Sequence, residues 1–216
     1  MGIKAARMGR LMLAFGLMSC VTTLSAQSLS KPKEFYFDTD KQAVPVVVVA
    51  DAQGEALAAA LVKERERGGR RAVEATAQLA HVAFADGRVD LGKGLYQQAL
   101  GSGRADTGFG RTVTWNQGWD LYRQGDYPGA LGQWSLIANS TLGGPSWIPP
   151  TLALVLWKLD RKPEAVTWYA AAVRTEPTLW NNAGNYATLL PDWRDEDRAT
   201  LAEVLTAWQK DPPAWP

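Results

Sequence analysis

The sequence predicts an all-α fold, an α-solenoid of helical hairpins stacked side by side, behind a short β-prone N-terminal segment. Three observations predict it. Small residues recur at near-constant intervals, Gly92 to Ala130 being 38 residues, Ala130 to Ala165 being 35, and a further 34 reaching Ala199. Two apolar-periodic stretches joined by a tight turn fill each interval, and a period in this range marks a helical repeat array. Repetition itself has a physical cause, because no single hairpin buries its own apolar face and each unit must cover the next.

The N-terminus reads as an export signal. Lys4, Arg7 and Arg10 occur without an acid, and residues 11–19 are apolar but too few to span a bilayer. Two processing routes are open. Ordinary cleavage would follow Ala26 in Leu24-Ser25-Ala26, which makes residues 1–26 a signal peptide. Alternatively, Leu17-Met18-Ser19-Cys20 resembles a lipobox, and Cys20 would then carry the lipid of an outer-membrane lipoprotein facing the periplasm. Met18 is bulky for that recognition step, so cleavage after Ala26 is the preferred reading. Both routes place the product in the bacterial periplasm.

Without residues 1–26 the chain holds 20 basic and 22 acidic residues, a net charge of −2. A near-neutral chain lacking a basic cluster is not expected to bind nucleic acid, and only a lipid at Cys20 would bring it to a membrane. Cys20 is also the single cysteine, so no disulfide is expected and packing must supply the stability.

Residues 27–54 read as a flexible leader in which 35–40 and 44–50 favour β structure. Residues 55–216 read as the helical domain. Its first helix spans 55–67 and stops at Gly68-Gly69. The first unit pairs 72–85 with 90–100 around Gly87, and the glycine-rich stretch 101–110 follows as a spacer. The second pairs 112–124 with 128–139 around Gly125-Asp126-Tyr127, Pro128 suiting a first helical turn. The third pairs 149–159 with 163–174 around Asp160-Arg161-Lys162, and Pro177 stops it. A fourth, degenerate unit has its first helix broken early by Pro191, while 195–210 form the second and cap the array.

These residues resemble the tetratricopeptide family and its Sel1-type relatives. The third unit carries the resemblance at Leu152-Ala153, Leu156, Ala165, Tyr169, Ala172 and Pro177. The second carries it at Gly118, Leu121, Gly125, Tyr127, Ala130 and Trp134, and the first at Leu79-Ala80, Ala83, Gly87, Tyr96 and Ala99. Good register covers residues 72–177. Departures are Gly92 in place of the usual alanine, Pro149-Pro150 where a first helix should already run, and the long spacer before the second unit.

The resemblance implies that the first helix of each unit lines a concave, partner-binding groove. Trp115, Asn116, Trp119, Tyr122 and Arg123 would come from the second unit. Trp147, Leu154, Trp157 and Lys158 would follow from the third, and Asn181, Asn185 and Thr188 from the fourth. Aromatic area and backbone-binding amides suit a protein or peptide partner. The spacing i, i+4, i+7 of Trp115, Trp119 and Tyr122 equally describes a core stripe, and both readings stand at this point.

Catalysis is not expected. His81 is the only histidine, with no cysteine or second histidine to share a metal or activate a nucleophile, so neither a metal nor a cofactor is foreseen. The expected function is that of an exported, non-enzymatic adaptor binding an envelope protein. The alternative is a cell-wall or secretion-machinery accessory acting through its N-terminal segment. Phe35-Tyr36-Phe37-Asp38-Thr39-Asp40-Lys41 resembles the opening of an OmpA-like peptidoglycan-binding domain, whose later stretches are missing here.

Overall fold

The computed structural model describes residues 29–32, 36, 48–102, 108–140 and 144–214. The signal stretch, Cys20 and most of the two β-prone runs lie outside the described residues. Within them the chain is all-α. Ten α-helices and one 3₁₀ turn are present and no strand forms, Tyr36 and 48–50 included.

The helices pair in sequence. α1 (Gly54–Glu66) lies on α2 (Gly69–Ala85), which pairs with α3 (Val89–Leu100). α4 (Gly108–Arg123) then pairs with α5 (Tyr127–Ser140), and α6 (Ile148–Lys158) with α7 (Lys162–Thr175). Neighbouring pairs meet through α3 and α2 against α4, and through α5 against α6.

Backbone geometry repeats with the sequence period. Gly87, Gly125 and Asp160 hold φ of +74°, +79° and +58°, which turns the chain sharply after each first helix. Glycine enters this left-handed region freely, and aspartate is among the few other residues that do. At all three turns the following amide reaches back five residues. Arg88 N donates to Ala83 O at 2.8 Å, Asp126 N to Leu121 O at 2.9 Å and Arg161 N to Leu156 O at 2.9 Å. These bonds satisfy helix-end carbonyls that would otherwise lack partners.

Packing explains the small and large positions. A Cβ on Gly92 would fall 2.4 Å from Cδ2 of Phe84, which is why glycine replaces alanine there. A Cβ on Gly118 would fall 2.2 Å from Nε1 of Trp134 on the paired helix. Ala130, Ala153 and Ala165 are fully buried at related positions. Tyr96, Trp134 and Tyr169, themselves 38 and 35 residues apart, fill the interior. Pro149 and Pro150 fall in the first turn of α6, where no intrahelical amide bond is lost.

The fourth unit departs furthest from the pattern. In place of one first helix come α8 (Pro177–Trp180), the 3₁₀ turn Ala183–Asn185 and α9 (Tyr186–Leu189), with Asn182 accepting from Gly184 N at 2.9 Å. After Pro191 the chain enters α10 (Asp195–Lys210), which packs on both α6 and α7 and buries Leu201, Val204 and Leu205.

Described parts of the leader pack onto the helices. Ser30 Oγ donates to Asn139 Oδ1 at 2.6 Å, and Tyr36 N donates to Thr175 Oγ1 at 3.2 Å. The Tyr36 ring is 1 % exposed and tilts against Trp168 at 6.0 Å. Among the described residues no helix is long and apolar enough to cross a membrane.

Candidate functional site

Burial decides between the two readings left open for the aromatic stripe of α4. Trp115, Asn116, Trp119 and Tyr122 are all buried, and Leu154 of α6 is wholly so. Trp115 meets Trp147 with ring centroids 3.8 Å apart, and Trp119 meets Trp134 at 5.0 Å. The segment leading into α10 supplies the outer cover, Trp193 lying edge-on to Trp119 at 5.1 Å. Such tilted and edge-to-face pairs add attraction beyond the area they bury. The stripe is therefore interior, covered by Trp134, Trp147 and Trp193.

Other groove candidates remain nearer solvent. Arg123 is about one-third exposed, with its guanidinium 5.7 Å over the Trp119 ring and a long ionic contact of 3.9 Å to Asp120. Trp157 is half-buried, its Nε1 donating to Glu203 Oε2 at 2.9 Å and its ring lying under Lys162 Nζ. Lys158, Asn181 and Thr188 are exposed. Asn185 turns inward to the chain, donating to Leu179 O at 2.8 Å and Thr178 O at 3.2 Å.

The structure does not gather these residues into one groove. Asn181 accepts from Gln209 near the end of α10, whereas Tyr122 bonds Asp197 near its start. Twelve residues of helix separate those two anchor points, roughly 18 Å at 1.5 Å per residue. Lys158 acts on Asp197 in the first turn of α10, Arg123 lies over Trp119, and Asn181 stands at the far end of α10.

Three polar residues of consequence lie outside the groove that the sequence predicts. Asp120 is buried at the junction of α2, α3 and α4, accepting from Tyr96 Oη at 2.6 Å on one oxygen and pairing with His81 Nδ1 at 2.8 Å on the other. Burial, then the facing carboxylate, pushes the Tyr96 phenol far above its ordinary range, so it stays a donor. An acid inside the run Trp119-Asp120-Leu121-Tyr122 was the available signal, since a carboxylate among core residues needs donors aimed at it.

Asp197 is the second. Tyr122 Oη donates to its Oδ1 at 2.9 Å, yet burial outweighs that bond and raises the carboxyl above its usual range. A raised pKa means that the folded state holds its proton more tightly than the unfolded chain does. The resulting stability is fully present below the ordinary carboxylate pKa of ~3.9 and is lost as pH rises through the higher folded value. Asp197→Asn should therefore melt above the parent at pH 7, with the difference shrinking as the pH is lowered towards 4. Scanning calorimetry across that range checks it, and a difference that widens in acid would contradict the assignment.

Gln78 of α2 is the third. Its Oε1 accepts from Val49 N at 2.6 Å and Ala50 N at 3.1 Å, while its Nε2 donates to Ala50 O at 2.9 Å. An arrangement of this kind grips main chain and ignores side chains. Asn116 stands 38 residues on, at the matching position of the second unit.

Elsewhere, α1, α2 and α3 enclose an open hollow of about 400 Å³, lined in part by Val62, Arg65, Val73 and Thr76, across which Arg65 donates to Gln98 Oε1. Among the described residues no group of three histidine, cysteine or acidic side chains gathers as for a metal ion.

Comparison with known proteins returns no match, whether to a family model, a curated protein or a solved structure.

Proposed function

We propose that this chain is a tetratricopeptide-type adaptor of the bacterial periplasm, binding another polypeptide without catalysing a reaction. The observation that carries the reading is the grip of Gln78 on the main chain of Val49 and Ala50, which bends at Val49. A side-chain amide on a first helix of the array receives polypeptide through generic backbone groups, the chemistry that peptide capture requires. Stacked hairpins support it further, because such an array presents a long surface built from rigid elements.

With the stripe of α4 in the interior, the partner's surface is the open margin around it. Arg123 and Lys158 provide two cations there, and Trp157 offers a half-buried aromatic edge. An extended segment with an occasional acid fits that margin. Export under the N-terminal signal and release after Ala26 complete the proposal, with lipid attachment at Cys20 as the second route to the same compartment. Labelling with palmitate separates the two.

A photo-crosslinking amino acid at position 123 or 158, activated in intact cells, is expected to trap one dominant polypeptide. The same group at Leu91, an exposed site on α3, should trap none of it. Equal yields from all three positions, or no adduct at 123 and 158, would remove the adaptor reading.

A further inference from the structure

The leader's hold on α2 is more complete than a single clasp. Beyond the three bonds to Gln78, Arg71 Nη2 donates to Val49 O at 3.3 Å. All four main-chain polar groups of Val49 and Ala50 are thus bonded to side chains of one helix. Their own side chains contribute little. Val48 is 66 % exposed and its two successors are only half-buried. A site that reads amides and carbonyls alone accepts any chain that presents two successive amides through the same bend.

We propose that Arg71 and Gln78 form a main-chain reading site for a bend in polypeptide, and that residues 48–50 occupy it as an intramolecular competitor which an incoming segment able to take the same bend replaces. This rests on the adaptor reading and adds what that reading lacks, a first docking point and its regulation. The competitor is attached a few residues before α1, so its effective concentration is on the order of millimolar, and a free peptide at micromolar concentration loses to it. Each of the four bonds contributes modestly, so the clasp is firm without being permanent. Exchange also loses no buried apolar side chain, which distinguishes residues 48–50 from Tyr36, whose ring is in the core.

The test uses the full chain and a fluorescein-labelled peptide with the sequence of residues 44–53, followed by fluorescence anisotropy. Val49→Pro removes the amide that donates to Gln78 and leaves α2 untouched, and Ala50→Pro does the same one residue later. Either variant should bind the peptide at least about tenfold more tightly than the parent, the factor by which removing a millimolar-range competitor unmasks a site. Adding Gln78→Ala should cancel the gain. Circular dichroism verifies the helices of each variant.

A second measurement needs no variant. In the ¹⁵N-labelled parent, saturating unlabelled peptide should move the Val49 and Ala50 amide resonances to unbonded positions. Unchanged affinity in both proline variants, tight binding that survives Gln78→Ala, or amide resonances that stay in place each overturn the competitor. If that happens while crosslinks at 123 and 158 persist, the adaptor reading stands alone; if those crosslinks fail too, both fall.

Discussion

Trp134→Ala should destabilise the protein by about 3–5 kcal/mol, the range for removing a large aromatic from a close-packed interior. Trp134 is 1 % exposed and sits where α4 and α5 approach. Its ring meets Trp115, Trp119 and Tyr122, and its Nε1 donates to Trp115 O at 3.2 Å. A loss of that size is a large share of the 5–15 kcal/mol that holds a typical domain together. Urea denaturation followed by far-ultraviolet circular dichroism reads it directly, and a midpoint close to that of the parent would refute the packing described here.

Gly118→Ala sharpens the same claim. In an exposed helix that change is favourable by about 0.8–1 kcal/mol. At position 118 the added methyl would lie 2.2 Å from Trp134 Nε1, so the sign should reverse to a loss of about 1–3 kcal/mol. Combining it with Trp134→Ala removes the obstruction, and the double variant should then lose less than the two single losses together. Strict additivity would mean that the two residues do not share one space.

Asp120→Ala carries the second large expected effect, again about 3–5 kcal/mol, because it deletes the acceptor on which two elements converge. Tyr96 from α3 and His81 from α2 both bond its side chain, and the Tyr96 hydroxyl is buried. The damage should concentrate where the first pair of helices meets the second. Hydrogen exchange is expected to quicken in α2 and α3 well before α6 and α7. Asp120→Asn keeps an acceptor for Tyr96 and should recover more than half of the loss. A uniform rise in exchange along the chain would argue that Asp120 is not the fastener of that junction.

Much of this architecture is legible from local spacing. Gly92, Ala130 and Ala165 announce close approach, Tyr96, Trp134 and Tyr169 announce filled gaps, and Gly87, Gly125 and Asp160 announce turns, because each depends on partners within about forty residues. The fate of the aromatic stripe depends on something else. Trp119 is covered by Trp193, and Tyr122 by Asp197, residues more than seventy positions away on a segment that the period does not describe. Spacing at i, i+4, i+7 says that one face is apolar; it is silent on whether that face meets ligand or the chain's own end. Gln78 escaped for a related reason, since an amide that bonds main chain has no companion motif to betray it.

The leader and the last helix also change how the molecule should come apart. Linear arrays lose their units one after another from an end, since each unit touches only its neighbours. Here Ser30 and Tyr36 of the leader are fastened to Asn139 and Thr175, at sequence separations of 109 and 139 residues, and Arg174 in turn donates to Pro213 O. With these leader residues seated on the middle and rear of the stack, neither terminal pair of helices is free to fray alone. Melting becomes a concerted event, and folding must wait for the slow closure of loops more than a hundred residues long.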